Sequence, residues 1–179
     1  MRCFIALNLP PNLKDYLFEL QRKNKTKDAK INWVAKKNLH ITLKFLGEIS
    51  EDKLTEIKKR LLEIKAKTMN VKLSSIGVFP DEIDPRVLWV GLSPETDIVK
   101  LAQKIDEETL DLVSSEQQFT AHITLGRIKS IQHKANFKKF LKELKVDKIP
   151  CTVESFSLYK STLSSQGPSY EEIERYSLG

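Results

Sequence analysis

The chain contains the tetrapeptide His-Ile-Thr-Leu twice, at residues 40–43 and again at residues 122–125. Only three histidines occur in the sequence, so two of them lie in identical settings. Imidazole has an ordinary pKa near neutrality and can therefore donate or accept a proton at physiological pH. Two such groups in one cleft could supply both the acid and the base of a single displacement reaction.

Hydrophobic periodicity around the two motifs predicts short strands and amphipathic helices in mixed order. The motifs themselves lie in predicted strands, at 39–46 and 119–128. Several hairpins interspersed with helices are typical of an α+β fold with largely antiparallel sheets. The other predicted elements are strands at 2–8, 31–35, 71–79, 86–92, 151–162 and 170–177, and helices near 11–24, 50–68, 94–112 and 134–145.

The duplication predicts how the chain is organised. No linker-like stretch divides it, so residues 1–179 are expected to form a single bilobal domain. The two pseudo-symmetric lobes would each hold a largely antiparallel sheet with helices on the outside. Each lobe would contribute one motif to the cleft between them, where ligands commonly bind.

The composition indicates what kind of protein this is, what partner it favours and where it is expected to act. A hydrophobic fraction of 40% and a charged fraction of 30% are typical of a globular protein, and no apolar run is long enough to span a membrane. The net charge of +6 favours a polyanionic partner such as a nucleic acid. Residues 1–7 are predicted to be the first strand rather than a signal peptide, and Cys3 and Cys151 to be buried thiols, so a cytoplasmic location is expected.

Alternation along a strand places the imidazole and the hydroxyl of each motif on one face. His40 therefore lies beside Thr42, and His122 beside Thr124, while the intervening apolar residues face the core.

Three chemistries compete for such a pair of motifs. Metal binding would use both histidines, but no carboxylate or cysteine shares their face to complete a set of ligands. Thr42 or Thr124 could act as a nucleophile, but no third residue is evident to orient a base. General acid–base catalysis on a phosphodiester needs one base, one acid and donors for the phosphate oxygens, and the two motifs contain all three. We favour this last interpretation, which requires no metal or other cofactor.

A cation near the motifs would complete the phosphate site. Lys44 lies two residues after Thr42 on the same predicted strand, so it is expected to share the face of Thr42 and to point into the cleft. Arginine binds phosphate better than lysine does, because its guanidinium can donate two parallel hydrogen bonds. Strict alternation, however, places Arg127 on the core side of its strand. Arg127 reaches the cleft only if the strand bends or bulges at Gly126.

Aromatic residues near the motifs could stack on a terminal base. Phe45 and Trp33 are the candidates, although alternation places Phe45 with the core set. Trp89 lies in an apolar run and is expected in the core.

The motifs and their surroundings resemble the 2H phosphoesterase superfamily, named for two His-x-Thr-x motifs. Within it, the chain resembles the RNA 2′,3′-cyclic phosphodiesterases, long called 2′-5′ RNA ligases. The resemblance extends over essentially the whole chain and is carried by residues 2–7, 33–34, 38–47, 77–80, 85–91, 119–127, 158–161 and 167–170.

This resemblance implies hydrolysis of a 2′,3′-cyclic phosphate at an RNA end to a 2′-phosphate. It implies that His40 is the proton donor and His122 the proton acceptor, and that Thr42, Thr124 and Arg127 bind the phosphate. Reversible 2′-5′ ligation of tRNA halves, hydrolysis of another small cyclic phosphate and non-catalytic binding of RNA ends remain alternatives. A monomer that acts away from membranes is expected.

Overall fold

The computed structural model of the chain describes residues 1–115 and 118–179, and these residues form nine strands, four α-helices and a short 3-10 helix at Lys36–Asn38. The strands are β1 (Arg2–Leu7), β2 (Ala29–Trp33), β3 (Ile41–Glu48), β4 (Met69–Phe79), β5 (Val87–Ser93), β6 (His122–Ile131), β7 (Pro150–Val153), β8 (Ser155–Ser164) and β9 (Gly167–Ser177). The helices are α1 (Pro11–Lys23), α2 (Glu51–Glu63), α3 (Thr96–Thr109) and α4 (Lys134–Glu143).

The strands form two sheets, which we call sheet A and sheet B. Sheet A has the order β3-β1-β8-β9, and sheet B has the order β2-β6-β5-β4-β7. All neighbouring strands are antiparallel. Each sheet contains one motif strand, β3 in sheet A and β6 in sheet B. The predicted α+β fold with two antiparallel sheets is confirmed.

The two sheets share one pattern of strands. In sheet A the motif strand β3 pairs with β1, which pairs with β8. In sheet B the motif strand β6 pairs with β5, which pairs with β4. The third strand of each set comes from the other half of the chain, so the two halves exchange strands, and one continuous apolar core joins both sheets.

Helix α1 positions the second motif strand. Its apolar residues Leu13 and Leu17 are fully buried, and Pro11 at its first position suits the fixed backbone of proline. The buried side chain of Gln21 donates hydrogen bonds to the carbonyls of Val34 (2.9 Å) and Leu125 (2.8 Å). The helix is thus anchored to the chain segment beside each motif.

A β-bulge interrupts alternation in each motif strand. On β3, Ala6 pairs with Thr42 but Ile5 pairs with Lys44, which leaves Leu43 as an extra residue. On β6, register shifts in the same way at Leu125. Residues that follow each bulge point to the face opposite to the one that alternation predicts, up to a second register shift at Leu46 on β3 and at Lys129 on β6.

The region predicted as one strand at 151–162 is divided. Glu154 separates β7, at the edge of sheet B, from β8, inside sheet A. The carbonyl of Glu154 accepts a hydrogen bond from the Leu178 N–H (2.8 Å), which ties the crossing to the end of the chain.

Two predictions about the class of protein can be compared with the fold. Cys3 and Cys151 are buried free thiols, as predicted. Among the residues that the structure describes, no helix combines the length and the apolar character needed to cross a membrane.

Candidate active site

The two motif strands come from different sheets and pack against each other. The charge that His122 carries when protonated contributes to lowering the pKa of His40. The contact between β3 and β6 brings the two motif strands together.

Both histidine rings are held in the same way. His40 Nδ1 lies 2.6 Å from the Asn38 carbonyl oxygen, and His122 Nδ1 lies 2.7 Å from the Thr120 carbonyl oxygen. A carbonyl can only accept, so Nδ1 is the protonated nitrogen in each ring. Nε2 is then the nitrogen that is free to gain or lose a proton.

The two Nε2 atoms have different surroundings. His40 Nε2 lies 2.8 Å from Thr42 Oγ1. The hydroxyl donates to Nε2 when the ring is neutral and accepts from it when the ring is charged. The corresponding residue Thr124 follows His122 on the same face of β6, and both residues are partly buried.

Burial dominates the electrostatics of His40. Its removal from water lowers the pKa of the imidazole to about 4, against a partial opposing effect of the hydrogen bond to Asn38. The positive charges of Lys14 and Arg127 lower the pKa further. His40 is consequently neutral near pH 7 when the site holds no anion.

Aromatic side chains cause this burial. The rings of Phe4 and Tyr170 lie against His40, with centroids 5.0 and 5.4 Å away. The rings of Phe79 and Trp89 lie edge-on to His122, at 5.0 and 6.0 Å.

The pKa of His122 is also lowered. Desolvation is the main cause, the positive charge of Arg127 adds to it, and the hydrogen bond to the Thr120 carbonyl opposes it. Two neutral imidazoles beside an arginine form a site that gains free energy when an anion enters and offsets the positive charge.

Arg127 reaches this site because of the bulge at Leu125. The bulge makes both Leu125 and Gly126 face the core, and Arg127 then lies exposed on the face of Thr124 and His122. Its charge acts on the pKa of both histidines. The expectation that Arg127 needs a bent strand is confirmed, with the extra residue at 125 rather than 126.

The placement of Lys44 in the cleft was wrong. Its side chain is 3% exposed and lies on the core side of β3, where Nζ contacts Asp106 at 2.8 Å. Nζ also donates to Thr109 Oγ1 (2.9 Å) and to the Val113 carbonyl (3.0 Å). The bulge at Leu43 reverses the alternation, so Lys44 links β3 to helix α3 instead of facing a phosphate.

The same bulge brings Phe45 to the other face. Phe45 is 48% exposed, and its ring lies 6.2 Å from Phe4, which packs on His40. The expectation that Phe45 faces the core was therefore wrong. Phe45 holds the position on β3 that Arg127 holds on β6, three residues beyond the motif threonine.

Trp33 lies on the face of sheet B away from Arg127, so it is not placed to stack on a base bound beside the motifs. In the β2–β6 pair, Asn32 is opposite Arg127 and Trp33 is opposite Gly126. Residues directly opposite share a face, so Trp33 faces away from Arg127. Its ring packs on the core, with Lys25 Nζ 5.2 Å from its centroid.

Sequence reasoning missed several residues of the site, among them Phe4 and Phe79, whose rings pack on the two imidazoles. Asn38 is buried, and besides holding His40 through its carbonyl it donates from Nδ2 to the Pro168 carbonyl (2.9 Å). Tyr170 comes from β9, and no local signal connects it to residue 40. Trp89 was expected in the core, but it is only partly buried and borders His122.

The arrangement can move protons around an anion. Two imidazoles present Nε2 atoms, a threonine accompanies each, and the guanidinium charge of Arg127 acts on both rings. Within residues 1–115 and 118–179, no three His, Cys, Asp or Glu side chains are grouped as ligands for a metal ion.

Comparisons with known proteins show the family and the fold to which the chain is similar. The family described as LigT like Phosphoesterase matches the chain twice, over residues 7–89 and 90–170, so each match contains one motif. The chain is similar to an RNA 2′,3′-cyclic phosphodiesterase of Methanocaldococcus jannaschii, with 38% identity over 98% of this chain and 100% of the relative. It is also similar to an RNA 2′,3′-cyclic phosphodiesterase of Thermotoga maritima, with 31% identity over 97% and 93% of the two chains. The crystal structure of the Thermus thermophilus protein TT0787 has the same fold, with a TM-score of 0.82 and 28% identity over 99% and 98% of the two chains.

Proposed function

The chain belongs to the LigT-like phosphoesterase family, and from that premise we propose that it hydrolyses the 2′,3′-cyclic phosphate ends of RNA to 2′-phosphates. One observation carries the proposal. Two imidazoles from different sheets each have Nδ1 fixed by a main-chain carbonyl, and each leaves Nε2 for proton transfer beside one arginine.

In the proposed step a water molecule attacks phosphorus in line with the departing 3′ oxygen. His122 Nε2 accepts the proton of the attacking water as the new P–O bond forms. His40 Nε2–H gives its proton to the 3′ oxygen as the old P–O bond breaks, which leaves a 2′-phosphomonoester. Both proton transfers use side chains of the protein, and the proposed step needs no metal ion.

Stabilisation of charge is assigned to the remaining groups. Thr42 and Thr124 donate hydrogen bonds to the non-bridging oxygens, and Arg127 offers the charged fork that phosphate favours. The face that Phe45 shares with His40 makes it the candidate to stack on the terminal base, whereas Trp33 has no part in this proposal.

Substrate binding also explains how His40 becomes an acid. Its pKa of about 4 leaves it neutral in the free protein. A phosphodiester anion beside the ring favours the charged form and raises the pKa. His40 therefore takes up a proton with the substrate and holds it on Nε2, where Thr42 Oγ1 accepts the hydrogen bond. His122, whose pKa is lowered mainly by burial, is assigned the neutral form that accepts the proton of the attacking water.

The wider setting follows from the same proposal. Residues 1–179 act as one domain, as a monomer in the cytoplasm, on RNA that bears a cyclic phosphate end. The net charge of +6 supports an RNA partner.

The test compares the wild type with His40→Ala, His122→Ala and the control His133→Ala on an oligoribonucleotide that ends in a 2′,3′-cyclic phosphate. Chromatography and mass spectrometry should show a 2′-phosphate product from the wild type and from His133→Ala. Each motif variant should lose at least about a hundredfold in kcat, since one acid or base typically contributes that much. EDTA should have little effect.

Other results point to other functions. Full activity in either motif variant would contradict the assigned roles. Tight binding of the RNA without turnover would indicate a binding module, and turnover restricted to cyclic mononucleotides would indicate a different hydrolase. Joining of tRNA halves without hydrolysis would indicate a 2′-5′ RNA ligase, with a ribose hydroxyl in place of water.

A further inference from the structure

The positive charge of the chain is concentrated in one short segment. Residues 22–37 contain seven lysines and arginines and a single acidic residue, Asp28, so this segment alone carries a formal charge of +6. That value equals the net charge of the whole chain, and the remaining residues are therefore neutral overall. A cluster of cations in one place is typical of a surface that binds nucleic acid. We call residues 22–37 the basic segment.

The basic segment borders both motifs. It contains β2, which pairs with the second motif strand β6 at the edge of sheet B. It ends at Lys37, one residue before Asn38, whose carbonyl oxygen contacts the His40 ring. The excess of positive charge therefore lies next to the proposed catalytic site, with Arg127 on one side of it and His40 on the other.

The register of β2 places a lysine beside Arg127. Asn32 is directly opposite Arg127, and directly opposite residues share a face. The register shift in this pair is an extra residue on β6, so alternation holds along β2 and Lys30 lies on the face of Asn32. Diagonal neighbours such as Lys30 and Arg127 are separated by roughly 7–8 Å. Two long cationic side chains thus lie side by side on the face that carries His122 and Thr124.

This face of β2 is open to solvent. Lys30, Asn32 and Arg127 are exposed, whereas Ile31 and Trp33 point to the other face and pack on the core. Within residues 1–115 and 118–179, neither Lys30 nor Arg127 forms an ion pair with a carboxylate. Both side chains can therefore turn toward an anion without first losing a partner of opposite charge.

The one acidic residue of the basic segment does not neutralise these lysines. The Asp28 carboxylate lies 3.1 Å from His133 Nδ1 and accepts a hydrogen bond from Asn136 Nδ2 at 3.4 Å. Its second oxygen accepts from the Thr26 hydroxyl (3.4 Å). The carboxylate therefore links the loop before β2 to the start of helix α4, and the positive charge over β2 is left uncompensated.

We propose that Lys30, with the side-chain amide of Asn32 beside it, binds the backbone phosphate that precedes the cyclic phosphate in the RNA strand. This inference rests on the proposed function, in which Arg127 binds the cyclic phosphate, and it adds a second phosphate site next to the first. A single strand of nucleic acid is usually held by a positively charged groove that follows its backbone. The strand leaves across the β2 edge of sheet B, and the enzyme should prefer oligonucleotides to mononucleotides.

The experiment compares a ribodinucleotide that ends in a 2′,3′-cyclic phosphate, which has one backbone phosphate, with a 2′,3′-cyclic mononucleotide, which has none. Lys30→Gln should lower the ratio of the two kcat/KM values by about tenfold, as expected for one lost charge-assisted hydrogen bond. Lys30→Arg keeps the charge and should keep most of the wild-type ratio. The loss should be equal for adenine and uracil dinucleotides, because a phosphate contact does not read the base.

Lys59→Gln is the matched control. Lys59 is also an exposed lysine, and no ion pair involves it within the part of the chain that the structure describes. It lies on helix α2, where the neighbouring Lys58 contacts Glu174 (2.9 Å) on the face of sheet A that carries the buried Leu158. The control removes the same charge on the core side of the other sheet, so its ratio should equal that of the wild type.

A binding measurement gives a second readout that does not depend on turnover. Fluorescence anisotropy of a labelled hexaribonucleotide with a 2′-phosphate end gives the dependence of log affinity on log salt. The slope should be shallower for Lys30→Gln by about 0.7, the contribution of one phosphate contact on a single strand. Lys30→Arg and Lys59→Gln should keep the wild-type slope.

The outcomes keep the two proposals apart. Equal losses on the dinucleotide and the mononucleotide would mean that Lys30 only supports the fold around Arg127. An unchanged ratio with an unchanged salt slope would mean that the strand leaves the site by another route. Either result overturns the second phosphate site and leaves the proposed function standing. If the wild type hydrolyses neither substrate, the proposed function fails, and the salt slope alone then decides the phosphate site.

Discussion

His40 should make the protein less stable as the pH falls below neutrality. Its pKa is lowered from 6.5 to about 4 in the folded protein, mainly by burial. The unfolded chain therefore binds a proton at a higher pH than the folded chain does, and the free energy of unfolding falls as the pH drops from 6.5 toward 4. The full difference corresponds to about 3 kcal/mol, of which about 2 kcal/mol is already lost at pH 5.

Urea unfolding of wild type and His40→Gln at pH 7.5 and pH 5 measures this effect. Glutamine does not titrate, so the free energy of unfolding of His40→Gln should fall by about 2 kcal/mol less than that of the wild type between the two pH values. His133→Gln, which removes an exposed imidazole outside both motifs, controls for the loss of a histidine as such. An equal fall in wild type and His40→Gln would refute the reasoning, since it would mean that His40 titrates alike in the folded and unfolded states.

Three further variants test the surroundings of the motifs. Asn38→Ala removes the hydrogen bond to the Pro168 carbonyl. It should lower kcat by about tenfold because the His40 ring is held less well in position, while circular dichroism should show that the fold is retained. An unchanged kcat would show that the backbone alone holds the His40 ring. Gly77→Ala places a Cβ 2.1 Å from the Trp89 ring and should cost about 1–3 kcal/mol of unfolding free energy in urea, whereas a neutral effect would contradict the close packing. Lys44→Met removes a buried charge that does not face the cleft, so kcat should stay at the wild-type value in a steady-state assay. A large loss of kcat would indicate that Lys44 does act on the phosphate.

The two motifs, and the expectation that they lie close together, could be predicted from the sequence because the tetrapeptide is repeated and alternation along a strand is a local property. His40 and Thr42, like His122 and Thr124, precede the bulge in their strands, so alternation holds for them. Apolar periodicity also located the helices, since burial of one face largely determines where a helix forms.

Alternation failed just beyond the bulges. One extra residue reverses every later side chain on a strand, and nothing in the local sequence marks Leu43 or Leu125 as that residue. Strict alternation therefore placed Lys44 in the cleft and Phe45 on the core side, and Arg127 could be predicted in the cleft only by allowing the strand to bend near Gly126. A bulge at the leucine of each tetrapeptide accounts for all three positions.

The rest of the site depends on long-range pairing. A strand pattern in the sequence shows that a segment is extended, but it does not show which other strand that segment pairs with. The exchange of β4 and β8 between the two sheets was therefore not predicted. Tyr170 reaches the face of His40 only through β9, which pairs with β8 at the far side of sheet A. Its position beside His40 becomes visible once the strand order is known.

His40 and His122 are proposed to contact one anion between them. Long-range proton–nitrogen NMR of the histidine rings, with and without inorganic phosphate, can detect that shared contact. Added phosphate should shift the Nε2 signals of both rings with a single dissociation constant and raise the pKa of His40 above its value of about 4. A response from one ring only, or two unrelated dissociation constants, would contradict it.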